Sequence, residues 1–236
     1  MKIIPEGDGE MSEKVFAVAI DGPAGAGKST IAKELSKKLG VIYVDTGAMY
    51  RAMALFLIRQ GIKSSETEEI SKKCEEADIS ISFENGQQVV TLNGENVNGL
   101  IRTEEVGNMA SASSPNPDVR KKLVALQRKL ASEKSVVMDG RDIGTVVLPN
   151  AKVKVYLTAS SAVRAKRRYD ELTAKGESCD IEKIEADIIE RDHRDMTREI
   201  SPLRQADDAV LVDTSDMSIA EVQERLLNIC REKGCI

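Results

Sequence analysis

No stretch of this chain approaches the ~20 consecutive apolar residues that a helix needs to cross a bilayer. Its beginning also lacks the basic segment and following apolar run of a secretory leader. A membrane partner is therefore not expected, and the cytoplasm is the expected place of work. Histidine occurs once, as His193, and the four cysteines, Cys74, Cys179, Cys230 and Cys235, include no Cys-x-x-Cys pair. His/Cys metal sites are thereby excluded, and reduced thiols are the expected state. An excess of positive charge is missing too, because the net charge of −5 argues against a general nucleic-acid surface while leaving room for local clusters that bind small anions. There is no internal repeat and no low-complexity run. What remains is a 236-residue chain, 41% hydrophobic, with enough apolar material for one α/β domain with elaborations or two small ones.

What is present is concentrated in Gly22-Pro23-Ala24-Gly25-Ala26-Gly27-Lys28-Ser29-Thr30, a Gly-x4-Gly-Lys-Ser segment. Residues 15–20 before it form a short apolar run of the buried parallel-strand kind, and Ile31, Leu35 and Leu39 after it repeat at helical spacing until Gly40. Strand, loop and helix in that order define a phosphate-binding P-loop. The chemistry accounts for the composition. A loop curled round a triphosphate turns its N–H groups inward, and residues without Cβ let the backbone approach the oxygens. Lys28 is placed to bridge the β- and γ-phosphates, and Ser29 to hold Mg²⁺ or its water shell, with the positive end of the following helix adding a favourable field. ATP and Mg²⁺ are thus the expected cofactors.

Beyond the P-loop the chain alternates strand and helix patterns, as a parallel sheet with crossover helices requires. Residues 41–44 read as a strand, and Met49, Met53 and Leu57 as a helix ending near Gly61. Ser65 and Glu68 make a capping-box pair before a helix with Ile70, Cys74 and Ala77 on one face. Between Ile79 and Val97 the period changes to two, and Asn85-Gly86 and Asn93-Gly94 are hairpin turns, so a small antiparallel insertion is expected. A helix with Val119, Leu123, Leu126 and Leu130 follows, then strands at 135–138, 153–157 and 210–212. Ser218 and Glu221 form a second capping box, before a helix whose Ile219, Val222, Leu226 and Ile229 are expected to face inward. Residues 1–14, polar and rich in Gly and Glu, read as a loose tail.

A P-loop alone does not say whether the nucleotide drives motion, switches a partner or donates a phosphoryl group. A guanine-reading Asn-Lys-x-Asp segment is absent, as is Leu-Ser-Gly-Gly-Gln, which removes the GTP switch and the ABC-type ATPase. Arginine is abundant late in the chain, at Arg164, Arg167, Arg168, Arg191, Arg194, Arg198 and Arg204. A kinase of small phosphorylated acceptors needs such a supply, because two anions must be brought together against their repulsion. Arg191, Arg194, Asp195 and Arg198 fall at i, i+3, i+4 and i+7, which puts all four on one helical face. The same spacing suits an anion clamp and a solvated helix with an Arg191–Asp195 pair worth ~0.3–0.5 kcal/mol. The P-loop favours the clamp. Arg164, Arg167 and Arg168 suit a lid over the triphosphate, or equally a basic exposed helix. Asp45-Thr46-Gly47-Ala48-Met49-Tyr50-Arg51 and Asp139-Gly140-Arg141-Asp142-Ile143-Gly144 both follow apolar strands, where open α/β sheets bind ligands.

Taken together, the P-loop, Asp45 to Arg51, Gly140-Arg141-Asp142-Ile143-Gly144-Thr145-Val146-Val147 and Glu190-Arg191-Asp192-His193-Arg194-Asp195 resemble the bacterial cytidylate kinases from Val15 onward. The resemblance implies a three-layer αβα P-loop fold with a central parallel sheet, a small antiparallel acceptor-binding insertion at 62–102 and a helical lid around 158–198. The core would then comprise 15–61 and 103–236. The implied reaction is transfer of the γ-phosphoryl group of ATP to CMP or dCMP, which makes small nucleotides the expected partners; the charged helix faces favour a monomer. By similarity, Thr46, Arg51, Ser111, Arg120, Arg141, Asp142, Arg191, Asp195 and Arg198 contact the acceptor nucleotide; Arg164, as a lid residue, is expected to join the P-loop on ATP. Lys28, Arg141, Arg191 and Arg198 are the expected catalytic residues. Thr46 stands where many relatives carry Ser. The acceptor phosphate, with a second pKa near ~6, is already largely dianionic at neutral pH, so no general base is needed. Two rivals stay open: a kinase of UMP, AMP or a phosphorylated metabolite, and a protein that binds nucleotide without transfer.

Overall fold

The computed structural model describes residues 15–236; the tail assigned from sequence to 1–14 lies outside the described residues. Five parallel strands form the central sheet: β1 (Ala17–Asp21), β2 (Ile42–Asp45), β6 (Val136–Gly140), β7 (Val153–Thr158) and β8 (Val210–Asp213), in the order β2-β6-β1-β7-β8. Alternation along the strands feeds two cores. Ala19, Val44, Val136 and Met138 pack with Met49, Met53 and Leu57 of α2 (Thr46–Arg59) and Leu123 of α5 (Pro117–Glu133). Val18, Ile20, Val137 and Val155 pack on the other face with Ile31 and Leu35 of α1 (Lys28–Leu39) and with Val222, Leu226 and Ile229 of α8 (Ile219–Glu232). Both faces are covered, which is why these strands read as continuous apolar runs.

The insertion follows α3 (Thr67–Cys74) as β3 (Ile79–Glu84), β4 (Gln87–Leu92) and β5 (Glu95–Asn96), an antiparallel sheet. Asn85 and Gly86 at φ 50° and 72°, and Asn93 and Gly94 at 49° and 82°, supply the left-handed pairs that tight hairpins demand. The hairpin packs Ile79, Val90 and Leu92 into the core, Glu95 pairs with Arg59 of α2 at 2.6 Å, and one side chain ties it to β2. Gln88 accepts from the Asp45 N–H at 2.9 Å and donates to the Asp45 carbonyl at 3.1 Å, as a neighbouring strand would.

Four local expectations need correction. The helix near Ser65 starts at Thr67 without a capping box, because the Glu66 carboxylate folds back onto the Lys63 N–H at 2.6 Å and makes a turn there. Ala77 is buried but lies beyond that helix, which ends at Cys74. The Ser218–Glu221 box is present, yet Ile219 is 57% exposed because it occupies the first helical position, before the apolar stripe reaches the core. An unforeseen helix, α4 (Glu104–Ser113), is capped by the Thr103 hydroxyl accepting from the Val106 N–H. Its small residues gave little periodic signal.

Candidate active site

The carboxyl ends of β1, β2 and β6 lie side by side and carry aspartates: Asp21 and Asp45 are the last residues of β1 and β2, and Asp139 is the last but one of β6. The P-loop leaves β1 through Gly22, at φ 149°, where an added Cβ would stand 1.9 Å from the Leu157 carbonyl oxygen. No side chain fits there. The loop enters α1 at Gly27, which offers no side-chain cap, so the first-turn N–H groups remain available to an anion. Lys28 is buried and donates to the Pro23 carbonyl at 2.6 Å. Desolvation holds its pKa well below the usual ammonium range, and Arg141 and Arg191 push the same way against Asp139 and Asp21.

Asp139 organises the polar groups beside the P-loop. Its carboxylate accepts from the Ser29 hydroxyl at 3.0 Å and the Tyr43 hydroxyl at 2.9 Å, while its carbonyl accepts from the Thr46 hydroxyl at 2.7 Å. Burial, then the Asp45 charge, raises the carboxyl pKa to about 6, with Lys28 opposing. A hydroxyl and a carboxylate facing each other are the hard oxygen donors that Mg²⁺ takes through its water shell, and so few suffice because Mg²⁺ keeps several waters and binds substrate phosphates. Among the described residues no group of three or more His, Cys, Asp or Glu could form an all-protein cage. The donor set fits magnesium held with a nucleotide. Thr30, next to Ser29, is exposed.

On the acceptor side, arginines are held by carboxylates. Asp142 pairs with Arg120, which is also 3.1 Å from the Tyr50 hydroxyl, and lies 3.8 Å from Arg198. Asp195, on α7 (Ile181–Thr197), pairs with Arg141 at 2.9 Å. Arg164, on α6 (Ser161–Ala174), is buried and donates to the Ala24 carbonyl of the P-loop at 3.0 Å and to Asp192 of α7 at 2.6 Å. One guanidinium thus ties the loop to both later helices. Arg51 reaches the Ile101 carbonyl at 3.2 Å and passes Gly107 of α4, where an added Cβ would stand 3.0 Å from it. Ser111 lies half-buried on α4.

Arg191 differs from its neighbours. Its Nε is buried with no hydrogen-bond partner among the described residues, and burial, then Arg141, lowers its pKa to about 10, with Arg51 and Arg194 adding to the repulsion against Asp195. Arg141 and Arg191 also lower Lys28, and Arg141 lowers Arg51. Four cations therefore share one region at mutual cost. The helical-wheel expectation of Arg191, Arg194, Asp195 and Arg198 as one unit needs revision. Arg194 turns outward to Glu190 at 3.8 Å, Asp195 takes Arg141 from another element, and Arg198 lies past the helix end in extended backbone, donating to the Ser201 carbonyl at 2.6 Å.

Sequence reading did not single out Asp21, Tyr43, Tyr50, Asp192 or Arg102, which pairs with Asp45 at 2.5 Å. Asp139 was seen only as part of a turn. A signal existed for two of them: Asp-Gly closes an apolar strand at both 21–22 and 139–140. In comparisons with known proteins, the family model described as cytidylate kinase matches residues 18–232. A cytidylate kinase from Caldicellulosiruptor saccharolyticus is 50% identical over 216 residues, covering 92% of this chain and 96% of the relative. One from Carboxydothermus hydrogenoformans is 48% identical over 217 residues, covering 92% and 98%. A crystal structure of an uncharacterized protein from Eubacterium ventriosum superposes with a TM-score of 0.50 at 14% identity, covering 93% of this chain and 99% of that one, and bears on the fold alone.

Proposed function

This chain belongs to the cytidylate kinase family, and from that footing we propose that it transfers the γ-phosphoryl group of ATP to CMP and dCMP, giving CDP and dCDP. The observation that carries the reading is the convergence of Lys28, Arg51, Arg141 and Arg191, each depressed in pKa by, or depressing, another of the set. Such crowding is costly without anions and favourable with two phosphates between the cations.

In this reading the P-loop N–H groups and Lys28 hold the β- and γ-phosphates. Lys28 exchanges the Pro23 carbonyl for phosphate oxygen. Ser29 and Asp139 would hold Mg²⁺, which would supply positive charge to the bound triphosphate. Arg51, Arg141 and Arg191 orient the acceptor phosphate for in-line attack, and Arg191, with its free Nε, takes charge on the transferring group. Asp142 and Asp195 act as arginine holders, since each is occupied by a guanidinium, and the acceptor sugar competes for the same carboxylates. Arg164 closes the lid around 158–198 onto the P-loop through its Ala24 and Asp192 bonds, and the insertion at 62–102 covers the acceptor. The same reading includes a monomer working in the cytoplasm; no helix among the described residues is long and apolar enough to cross a membrane.

The test is ADP formation by purified protein with Mg-ATP and, separately, CMP, dCMP, UMP, AMP, GMP and dTMP. Turnover confined to CMP and dCMP is expected. Turnover centred on another acceptor would overturn the substrate assignment, and silence with all six would overturn the reaction.

A further inference from the structure

One buried carboxylate has no part in the reaction just described, yet it stands between the two halves of the cleft. Asp21 ends β1, the middle strand of the sheet, and is 5% exposed. Its Oδ1 accepts from the Ile143 N–H and its Oδ2 from the Gly144 N–H, both at 2.7 Å. Those donors open a single π-helical turn, Ile143–Val147, in which the Val147 N–H reaches the Asp142 carbonyl at 3.1 Å and the Leu148 N–H reaches the Ile143 carbonyl at 2.7 Å. The first N–H groups of such a turn have no partner inside it.

The residue at the capping position, Asp142, would ordinarily satisfy them, but it makes no cap bond because its carboxylate is committed to Arg120. Asp21 does the capping from the neighbouring strand instead. The next residue along the chain is Gly22, wedged against Leu157, so the entrance of the P-loop cannot swing away from Asp21. At the far end of the two bonds are Arg141 and Asp142, which carry the acceptor-side ion pairs.

We propose that Asp21 is a positioning residue for phosphoryl transfer, whose carboxylate locks the acceptor segment 141–144 to the entrance of the P-loop and so sets the separation of the two phosphate-binding halves. The proposal rests on the kinase reading above. Its physical basis is that in-line transfer tolerates little misplacement: about 1 Å can cost on the order of a hundredfold in rate. An amide at this position accepts from one N–H and opposes the other with its own donors. The lock can also be strained from its other side. A Cβ added at Gly144 would come 3.3 Å from Asp21 Oδ2 and 3.1 Å from Cδ of Lys154, whose ammonium is held by Asp208 at 2.8 Å.

The experiment compares steady-state kinetics with ATP and CMP for the wild type, Asp21→Asn and Gly144→Ala, alongside backbone amide exchange in the full chain. In Asp21→Asn we expect kcat to fall about a hundredfold, with both KM values within about threefold. Gly144→Ala loses less, in the same sense. Exchange rises at Ile143 and Gly144 while residues 18–20 of β1 stay protected. The proposal is overturned by variants with kcat within about threefold of wild type, by a loss carried wholly in KM, or by exchange that rises uniformly along β1. Should Asp21→Asn fail to fold, Gly144→Ala decides by the same criteria. Wild-type protein inactive with every nucleotide acceptor overturns the kinase reading, whereas active wild type with unchanged variants overturns this inference alone.

Discussion

The donor and acceptor halves of the cleft hold their cations by opposite means. Lys28 rests on the carbonyl of Pro23 in its own loop, with no carboxylate among the described residues in hydrogen-bond contact, while Arg120 and Arg141 each grip an aspartate from a distant element. The donor side is made of backbone: glycine conformations, free N–H groups and one loosely engaged ammonium. The acceptor side is made of side-chain pairs. A neutral partner releases its cation at little cost when a phosphate arrives, so the donor side is built for exchange. The paired guanidiniums are oriented by their carboxylates in this structure.

That contrast breaks most sharply at Lys28. Lys28→Ala should lower turnover by about a thousandfold or more, since a charge on the transferring group is lost, yet leave unfolding by denaturant no easier, because a buried and desolvated ammonium goes with it. A parallel loss of stability would mean the donor side is held by the cation after all. The acceptor side predicts the reverse emphasis. Asp142→Ala strands Arg120 and the nearby Arg198 in the interior and should cost about 3–5 kcal/mol in urea unfolding; a cost under ~1 kcal/mol would show the pairs to be dispensable.

A third test uses pH. Asp139 and Asp21 both sit at about 6 in the folded protein, against an ordinary 3.8. Between those values the unfolded chain has released protons that the folded chain retains, so the stability these two groups contribute declines as pH rises from about 4 to 6. Asp139→Asn should therefore gain stability relative to wild type from pH 4.5 to 7.5 while losing activity; urea midpoints at both values check it. The smallest effect concerns helix register. Arg194→Ala should change turnover by less than about twofold, as an exposed pair with Glu190 predicts, whereas Arg191→Ala should cost far more. Equal losses would restore the single-face clamp.

The same contrast explains what the sequence could reveal. The P-loop lies within nine consecutive residues and its chemistry is local, and the Asn-Gly turns are equally local. The arginine partners join residues 22, 54 and 28 apart, so helical spacing suggested Arg191 with Asp195 when the sheet order delivers Arg141 instead. Asp21 escaped notice because its role depends on β6 lying beside β1, which puts the turn after Asp142 within reach. Helix α4 was missed because Gly107 and its alanines and serines look like a loop, although Gly107 is there to let Arg51 through.

The side chain of Gln88 has a bearing on how the folded molecule meets copies of itself. β2 is an outermost strand, and an outermost strand presents a row of unmatched peptide groups that can recruit a second chain and seed aggregation. By occupying both peptide positions of Asp45, the glutamine amide blunts the growing point of that edge, and the hairpin behind it blocks lateral approach. The antiparallel insertion thereby protects the sheet from polymerising along its β2 side.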